Sequence, residues 1–331
     1  MKTIINNSFL LNRKEPENYL PEDERHFAGD LNVTVKETHI RVFKKATVVQ
    51  HLLFNGFQIA EEYCLSRKIL FRKKIKALLK RCAFKKRKIA GAVWVLDQWS
   101  FGYFHWLTEV LPRILVAKNN GYSFPIVFPE NSIKYLYFSD SLNALGADAE
   151  FYQLDASLQI RNCIAPSHLQ PAQFDPEQIK QVRNCFRQYD GLEQNISKNK
   201  RIYISRTIAQ RRFVRNESEL ESILSRFGFE TIYMEKLSFQ EQRILMSETA
   251  FLISNHGAGL TNMIFMPDTA TVIELKANAD DVNNCFFNLA RALDHQYYYT
   301  INLADNKLIQ RANITVDIEK LNRLLTALIP E

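Results

Sequence analysis

The chain is poor in cysteine, and no two of its cysteines stand close enough to clip a metal. The five (Cys64, Cys82, Cys163, Cys185 and Cys285) are odd in number and scattered, without a CxxC pair. That pattern argues against a zinc site and fits reduced, mostly buried thiols of a cytosolic protein. No stretch approaches the roughly 20 apolar residues of a membrane-spanning helix. The N-terminal MKTIINNSFLLNRKEPENYL has neither the apolar core nor the small-residue cleavage site of an export signal, so a cytoplasmic location is expected. No two aspartates stand two apart, which leaves a metal-bridged diphosphate without its usual DxD ligands. GxSxG, HExxH and Walker A sequences are also missing. There is no internal repeat and no low-complexity tract.

Acidic residues are absent from one stretch, and that absence explains the net charge of +7. Between Arg67 and Lys88, RKILFRKKIKALLKRCAFKKRK holds 12 of the 43 Lys and Arg residues and no Asp or Glu. The other 31 basic residues face 36 acidic ones, so the rest of the chain is mildly acidic. Phe71, Ile75, Leu78, Leu79 and Cys82 repeat at helical spacing and form an apolar stripe with basic flanks. Two readings stay open: a helix packed on the core with a solvated basic face, or a helix lying on an anionic membrane surface. Nucleic acid is disfavoured, because no aromatic residues are interleaved with the charges for stacking.

The 331 residues suffice for two domains. From Lys200 onward, apolar runs at 201–205, 229–234, 250–254, 270–275 and 296–301 alternate with helix-like stretches beginning near Asn216, Ser238, Gly259 and Val282. Asn216 followed by Glu219 reads as a helix N-cap with its partner. This alternation predicts a parallel sheet covered on both faces, an α/β doubly wound domain. The middle of the chain repeats the pattern less cleanly, with runs at 92–97, 125–129, 149–154 and 158–166 and helices near 104–118, 132–145 and 175–189. Polar DGLEQNISKNKR is the candidate linker, the first 60 or so residues read as short strands, and DIEKLNRLLTALI reads as a closing amphipathic helix. Ligands of open α/β sheets bind at the carboxyl ends of strands, so a cleft between the two halves is the expected site.

SNHGAGLTNMIF, Ser254 to Phe265, sits where a strand gives way to a helix, a context in which glycines and free amides bind diphosphate. Gly257 and Gly259 match the first two positions of GxGxxG, but the third is Asn262 and the turn follows the third strand of its half. A nicotinamide cofactor is therefore not expected. Glu274 ends the next strand, where a carboxylate can take a ribose or simply face solvent. Arg206, Arg211, Arg212 and Arg215 follow the first strand of the half; guanidinium forks match phosphate, although a solvated arginine loop looks the same in sequence. In DQWSFGYFHWLTEVLPRI, His105 and Glu109 are four apart and share a helical face, as a base and its orienting partner would. A satisfied core histidine fits the same spacing. Pro112 is expected to free the carbonyl of Thr108 and kink that helix.

Taken together, FHWLTEVLPRI, RIYISR, RRFVRNE and HGAGLTNMIFMPDTATVIEL, in this order and at these separations, resemble glycosyltransferase family 61 over roughly Val93 to Leu303. That family includes plant β-1,2-xylosyltransferases, animal enzymes that add N-acetylglucosamine to proteins, and bacterial proteins attached to capsule and lipopolysaccharide gene sets. The resemblance implies a GT-B fold, two Rossmann-like domains facing across a cleft. Residues 1–195 would form the acceptor-side domain, with a β-rich start and the basic helix within 1–90. Residues 196–331 would bind the nucleotide sugar, with the last helix packing back on the first domain. The implied reaction is inverting transfer from a nucleotide sugar of UDP type, with no metal and no cofactor besides that substrate, onto a glycan or lipid-linked glycan.

By position, Arg206, Arg211 and Arg212 would meet the donor phosphates, beside Asn255, His256, Gly257, Ala258, Gly259, Leu260, Thr261 and Asn262. Glu274 would take the ribose. His105 and Glu109 match the FHxxxE/D element and would activate the acceptor, with the choice of base between them open. A surface-polysaccharide enzyme of the cytoplasm, peripheral at the inner face of the membrane through residues 67–88, is the resulting expectation. A catalytically idle nucleotide-sugar-binding protein of the same fold is the alternative. A nucleic-acid-binding module is weak, because the charge is confined to one segment.

Overall fold

In the computed structural model, residues 1–331 are described except 65–68, 169–170, 193–198, 210, 280–282, 310 and 330–331. Half of the expected linker, the boundary at 195/196, Arg67, Lys68 and the helix start near Val282 lie outside the described residues. The chain divides into two compact units that are discontinuous in sequence: residues 1–9, 34–171 and 184–189 form the first, and 10–33, 172–183 and 190–331 the second.

The first unit is built on an eight-stranded mixed sheet. Its strands are β1 (Lys2–Asn6), β2 (Thr38–Val49), β3 (Leu52–Asn55), β4 (Gln58–Ile59), β5 (Lys85–Val93), β6 (Ile126–Pro129), β7 (Ala149–Tyr152) and β8 (Ala156–Pro166). Their order is β4-β3-β2-β8-β5-β6-β7, with β1 added antiparallel to β2. From β8 through β7 the pairings are parallel, whereas β1 to β4 and the β2·β8 pair are antiparallel, so half the sheet has βαβ character and half is a meander.

β5 begins at Lys85, within the basic run, rather than at Ala92. Ladder bonds to β8 hold Lys85 to Lys88 extended although their side chains are exposed, and burial starts only at Gly91. The basic helix α1 (Phe71–Ala83) precedes it, as the periodicity predicts.

The expected helix at 104–118 is interrupted. Tyr103–His105 form a short turn, Trp106–Val110 a π-helical segment, and Leu111–Asn119 a regular helix, α2, with Pro112 in its first turn. The wider π turn accommodates the proline, which has no amide hydrogen to continue the α ladder.

The second unit carries a six-stranded sheet. β9 (Lys200–Ile204), β10 (Glu230–Ile232), β11 (Thr249–Asn255), β12 (Thr271–Ala277) and β13 (Gln296–Ala304) run parallel in the order β10-β9-β11-β12-β13, and short β14 (Ile314–Thr315) closes the edge antiparallel. All five long strands fall where the apolar runs predict them. Strands buried on both faces read as continuous apolar runs, and β12 is buried at every position.

Helix α3 (Glu217–Arg226) follows β9, and α4 (Phe239–Ser247) starts at Ser238 with a complete capping box to Glu241. Asn216 does not cap α3 with its side chain. Its amide instead donates to Val316 O at 2.9 Å and accepts from Val316 N at 2.9 Å, tying the lead-in of the last helix, α5 (Ile318–Leu328), to the start of α3. Leu321 and Leu325 of α5 join Tyr203, Leu220, Leu224, Ile253, Ile273 and Leu275 in one core, so the closing helix packs within its own unit.

No described helix is long and apolar enough to cross a membrane.

Candidate active site

The glycine turn leaves the central strand β11 and enters a 3-10 helix, Ala258–Phe265, rather than an α-helix. Gly257 is extended (φ 178°), a conformation open to any residue, so it is not glycine for backbone reasons. Space explains it: a Cβ there would stand 2.9 Å from Arg206 Cζ, so the guanidinium lies against the bare Cα. Gly259 likewise admits Ile204 Cγ2, which a Cβ would meet at 3.1 Å. The first bonded amide of the 3-10 turn is that of Leu260, to Gly257 O at 2.9 Å, so those of Ala258 and Gly259 precede the ladder. Leu260 is wholly buried and that amide is already engaged. Its contribution is therefore to the fold.

Arg206 Nη2 donates to Arg211 O at 3.2 Å, and Asn255 Nδ2 donates to Arg212 O at 2.6 Å, with Arg212 in the left-handed region at φ 62°. Burial lowers the Arg206 pKa, and the Arg212 charge lowers it further. Two guanidiniums held near each other against their repulsion form a site suited to an anion. Among the described residues, three buried polar atoms around the same turn have no hydrogen-bond partner: Arg206 Nε, Asn255 Oδ1 and Thr261 Oγ1. Unsatisfied buried groups are rare in folded chains, and a ligand's polar atoms could satisfy these three.

Glu274 does not stand at a solvent-facing strand end. It is fully buried; Oε1 lies 2.6 Å from His256 Nδ1, and Tyr297 OH donates to Oε2 at 2.6 Å. Burial pushes its pKa up, but the Lys276 charge and the bonds from His256 and Tyr297 outweigh that and bring it to about 2. Asn283 Nδ2 lies 3.1 Å from His256 Nε2, so the imidazole is held at both nitrogens. Both carboxylate oxygens are thus committed within the protein. The β12 alternation that turns Ile273 and Leu275 into the hydrophobic core turns Glu274 and Lys276 to the opposite face.

In the first unit, His105 Nδ1 lies 2.8 Å from Glu109 Oε1, across the junction of the short helix and the π turn. The His105 side chain is 20% exposed and that of Glu109 only 7%. Trp106, between them in sequence, fixes the turn: it packs against Phe101, Phe128, Tyr137 and Phe138 and donates Nε1–H to Ser141 Oγ at 3.0 Å.

Behind Glu109 lies a set of residues that sequence reasoning did not assign. His168 Nε2 is 2.5 Å from Asp97 Oδ2 and 3.5 Å from Glu109 Oε2. Asp97 also receives Trp99 N–H and Ser100 Oγ–H on Oδ1. Buried Arg113 donates Nε–H to Glu109 O at 3.0 Å. Burial raises the Asp97 pKa, but the His168 bond and the Arg113 charge win and hold it far below the ordinary carboxylate range. Asp97 opens the quoted stretch and Arg113 lies one turn beyond Glu109, so spacing carried some signal for these two. His168, 71 residues from Asp97, carried none. Ligand atoms of Asp97, Glu109 and His168 lie within 4.8 Å of one another, an arrangement able to hold a metal ion, but the Arg113 guanidinium already interacts with both carboxylates.

Two separate comparisons bear on the chain. A family model described as "Glycosyltransferase 61" matches residues 103–273, which run from the His105 turn to Ile273, one residue short of Glu274. Curated relatives named "EGF domain-specific O-linked N-acetylglucosamine transferase" are similar to parts of the chain. The Drosophila melanogaster protein is 37% identical over 98 residues, the Rattus norvegicus protein 35% over 105, and the Xenopus laevis protein 43% over 61. These matches cover 29%, 30% and 18% of this chain and 18%, 19% and 11% of the relatives, so the chain spans less than a fifth of their length. Both comparisons point to one class, the glycosyltransferases. Since the family model matches just over half of its residues, the chain belongs to glycosyltransferase family 61.

Proposed function

We propose that the chain is an inverting, metal-independent glycosyltransferase that uses a nucleotide sugar of UDP type and an acceptor that is a glycan or lipid-linked glycan of a surface polysaccharide. Its two units are read as the acceptor-side and donor-side halves of a GT-B fold, working in the cytoplasm at the inner face of the membrane. The observation that carries the donor assignment is the unsatisfied buried set around Gly257, with Arg206 laid against it.

In this reading Arg206 and Arg212, with the Ala258 and Gly259 amides, take the diphosphate and stabilise its charge as the bond to the sugar breaks. His256 is not free to shuttle protons, since Glu274 and Asn283 hold its ring. We assign Glu274 to fixing His256 and the turn, in place of the ribose role. His105 is assigned as the base. Glu109 accepts Nδ1–H, which leaves Nε2 with its lone pair, and Nε2 makes no hydrogen bond among the described residues. It would remove the acceptor hydroxyl proton as that oxygen attacks the anomeric carbon from the face opposite the diphosphate. Buried Glu109 orients the ring, much as a carboxylate orients histidine in a catalytic triad. Arg113 supplies positive charge beside Asp97 and Glu109 without an ion.

A thermal-shift screen with nucleotide sugars tests the donor assignment, because a ligand of the folded state raises apparent stability. A UDP-sugar should raise Tm in the wild type and not in Arg206→Ala. No shift with any nucleotide sugar would overturn it, and binding without transfer to any acceptor would favour the idle binding protein.

A further inference from the structure

We propose that α1 and the start of β5 dock this chain on an anionic lipid surface. The apolar stripe that the sequence places on this helix is divided by the structure between two faces. Ala77 is buried with Val49 and Phe54, and Leu78, Leu52, Ile59 and Phe84 pack around them. Polar contacts anchor the same face: Lys74 pairs with Glu61, Lys80 Nζ donates to Gln50 Oε1 at 3.1 Å, and the Arg81 guanidinium lies 4.4 Å from the Phe57 ring centre. The helix is therefore held to its unit by one side.

The other side is bare. Phe71, Ile75, Leu79 and Cys82, at i, i+4, i+8 and i+11, are all exposed, Phe71 to 75% and Leu79 to 65%. Leu70 and Phe57 are also largely in solvent. Monomeric proteins seldom leave such a row uncovered without a use for it. Around it Arg72, Lys73 and Lys76 are exposed, and Lys85, Lys86 and Lys88 continue the charge into β5. None of the six forms an ion pair among the described residues.

The occupant follows from this combination. A second copy of the chain meeting this face about a two-fold axis would set the same unpaired cations against each other. A nucleic acid would answer the charge but leave Phe71, Ile75 and Leu79 in water, with no aromatic ladder for bases to stack on. A bilayer rich in anionic headgroups answers both, taking the apolar side chains at the acyl boundary and the Lys and Arg side chains at the phosphates. The inference rests on this surface alone and stands or falls separately from the sugar-transfer reading.

The test is co-sedimentation of the full chain with phosphatidylcholine vesicles, with and without phosphatidylglycerol. Two variants accompany it: Phe71→Ser with Leu79→Ser, and Lys73→Glu with Lys76→Glu. All four positions are exposed, and circular dichroism checks that the fold is kept. Binding should be at least about tenfold stronger to the anionic vesicles, fall with salt, and drop about tenfold or more in each variant. The Tm shift with a nucleotide sugar should be the same in all three proteins. Equal binding to both vesicle types, or to neither, would overturn the proposal. So would apolar substitutions that convert a dimer to a monomer while vesicle binding is unchanged, or binding to an oligonucleotide that outcompetes the vesicles.

Discussion

Arg206 lies so close to Gly257 that a Cβ on the glycine would stand 2.9 Å from the guanidinium carbon. The glycine thus sets where the arginine can be, and Gly257→Ala should push the side chain aside. Its backbone is extended and the obstacle is the end of a long side chain, so stability should change little. Donor affinity should fall about tenfold or more in Gly257→Ala and in Arg206→Ala, in line with about 1.5–3 kcal/mol for a hydrogen bond to a charged group. Calorimetric titration with the nucleotide sugar that gives the largest Tm shift checks this; unchanged affinity in both variants would remove Arg206 from the phosphate site.

His105→Ala should lower kcat by about 10²–10⁴, the usual contribution of a positioned base, with donor affinity unchanged. Glu109→Gln should lower it by less, because Nε2 keeps its lone pair while the ring loses its charged anchor. The double variant should be no slower than His105→Ala, since the two side chains act as one unit. A Glu109→Gln enzyme slower than His105→Ala would instead make the carboxylate the base.

The Glu274 pKa, about 2 in the fold against 4.5 in the unfolded chain, has a consequence for stability. A depressed carboxyl stabilises the fold above its unfolded value, and that contribution is lost as pH falls from about 4.5 towards 2. Glu274→Gln should flatten this part of the curve. At neutral pH it should cost about 3 kcal/mol, because Lys276 is left buried without its carboxylate. Urea titrations across that pH range measure both effects.

Because Arg113 occupies the charge position beside Asp97, Glu109 and His168, dialysis against a chelator should leave both turnover and Tm unchanged. Loss of either, restored by a divalent ion, would put a metal at this cluster. Asp97→Asn should destabilise the first unit by about 3 kcal/mol, because the buried Arg113 guanidinium keeps only Glu109 as a charged partner and His168 loses its carboxylate.

Much of the second unit was legible before the structure, because its parallel strands are buried on both faces and read as apolar runs; the cap read at Asn216 does not form, and the capping box stands at Ser238 instead. The first unit was harder. Lys85 to Lys88 look like the tail of a helix, and only pairing with β8, far away in sequence, makes them a strand. Residues 10–33 and 172–183 belong to the second unit for reasons of long-range contact that a linear reading cannot supply. At the site, the His105 and Glu109 spacing gave their contact directly, whereas the His168 link to Asp97 spans 71 residues and left no local trace. Glu274 was placed on the right strand, but its burial depends on Tyr297 and His256, which only the folded sheet brings to it. The periodicity of α1 located its apolar stripe without revealing that the unit covers only one side of it.

The most direct measurement is nucleoside diphosphate release from a panel of nucleotide sugars, with wild type, Arg206→Ala and His105→Ala compared at saturating donor. The wild type should release UDP from one sugar donor, His105→Ala should bind that donor but release UDP about 10² times more slowly or less, and Arg206→Ala should bind it poorly. Release at the wild-type rate by both variants, or from no donor at all, would contradict a nucleotide-sugar transferase built on these residues.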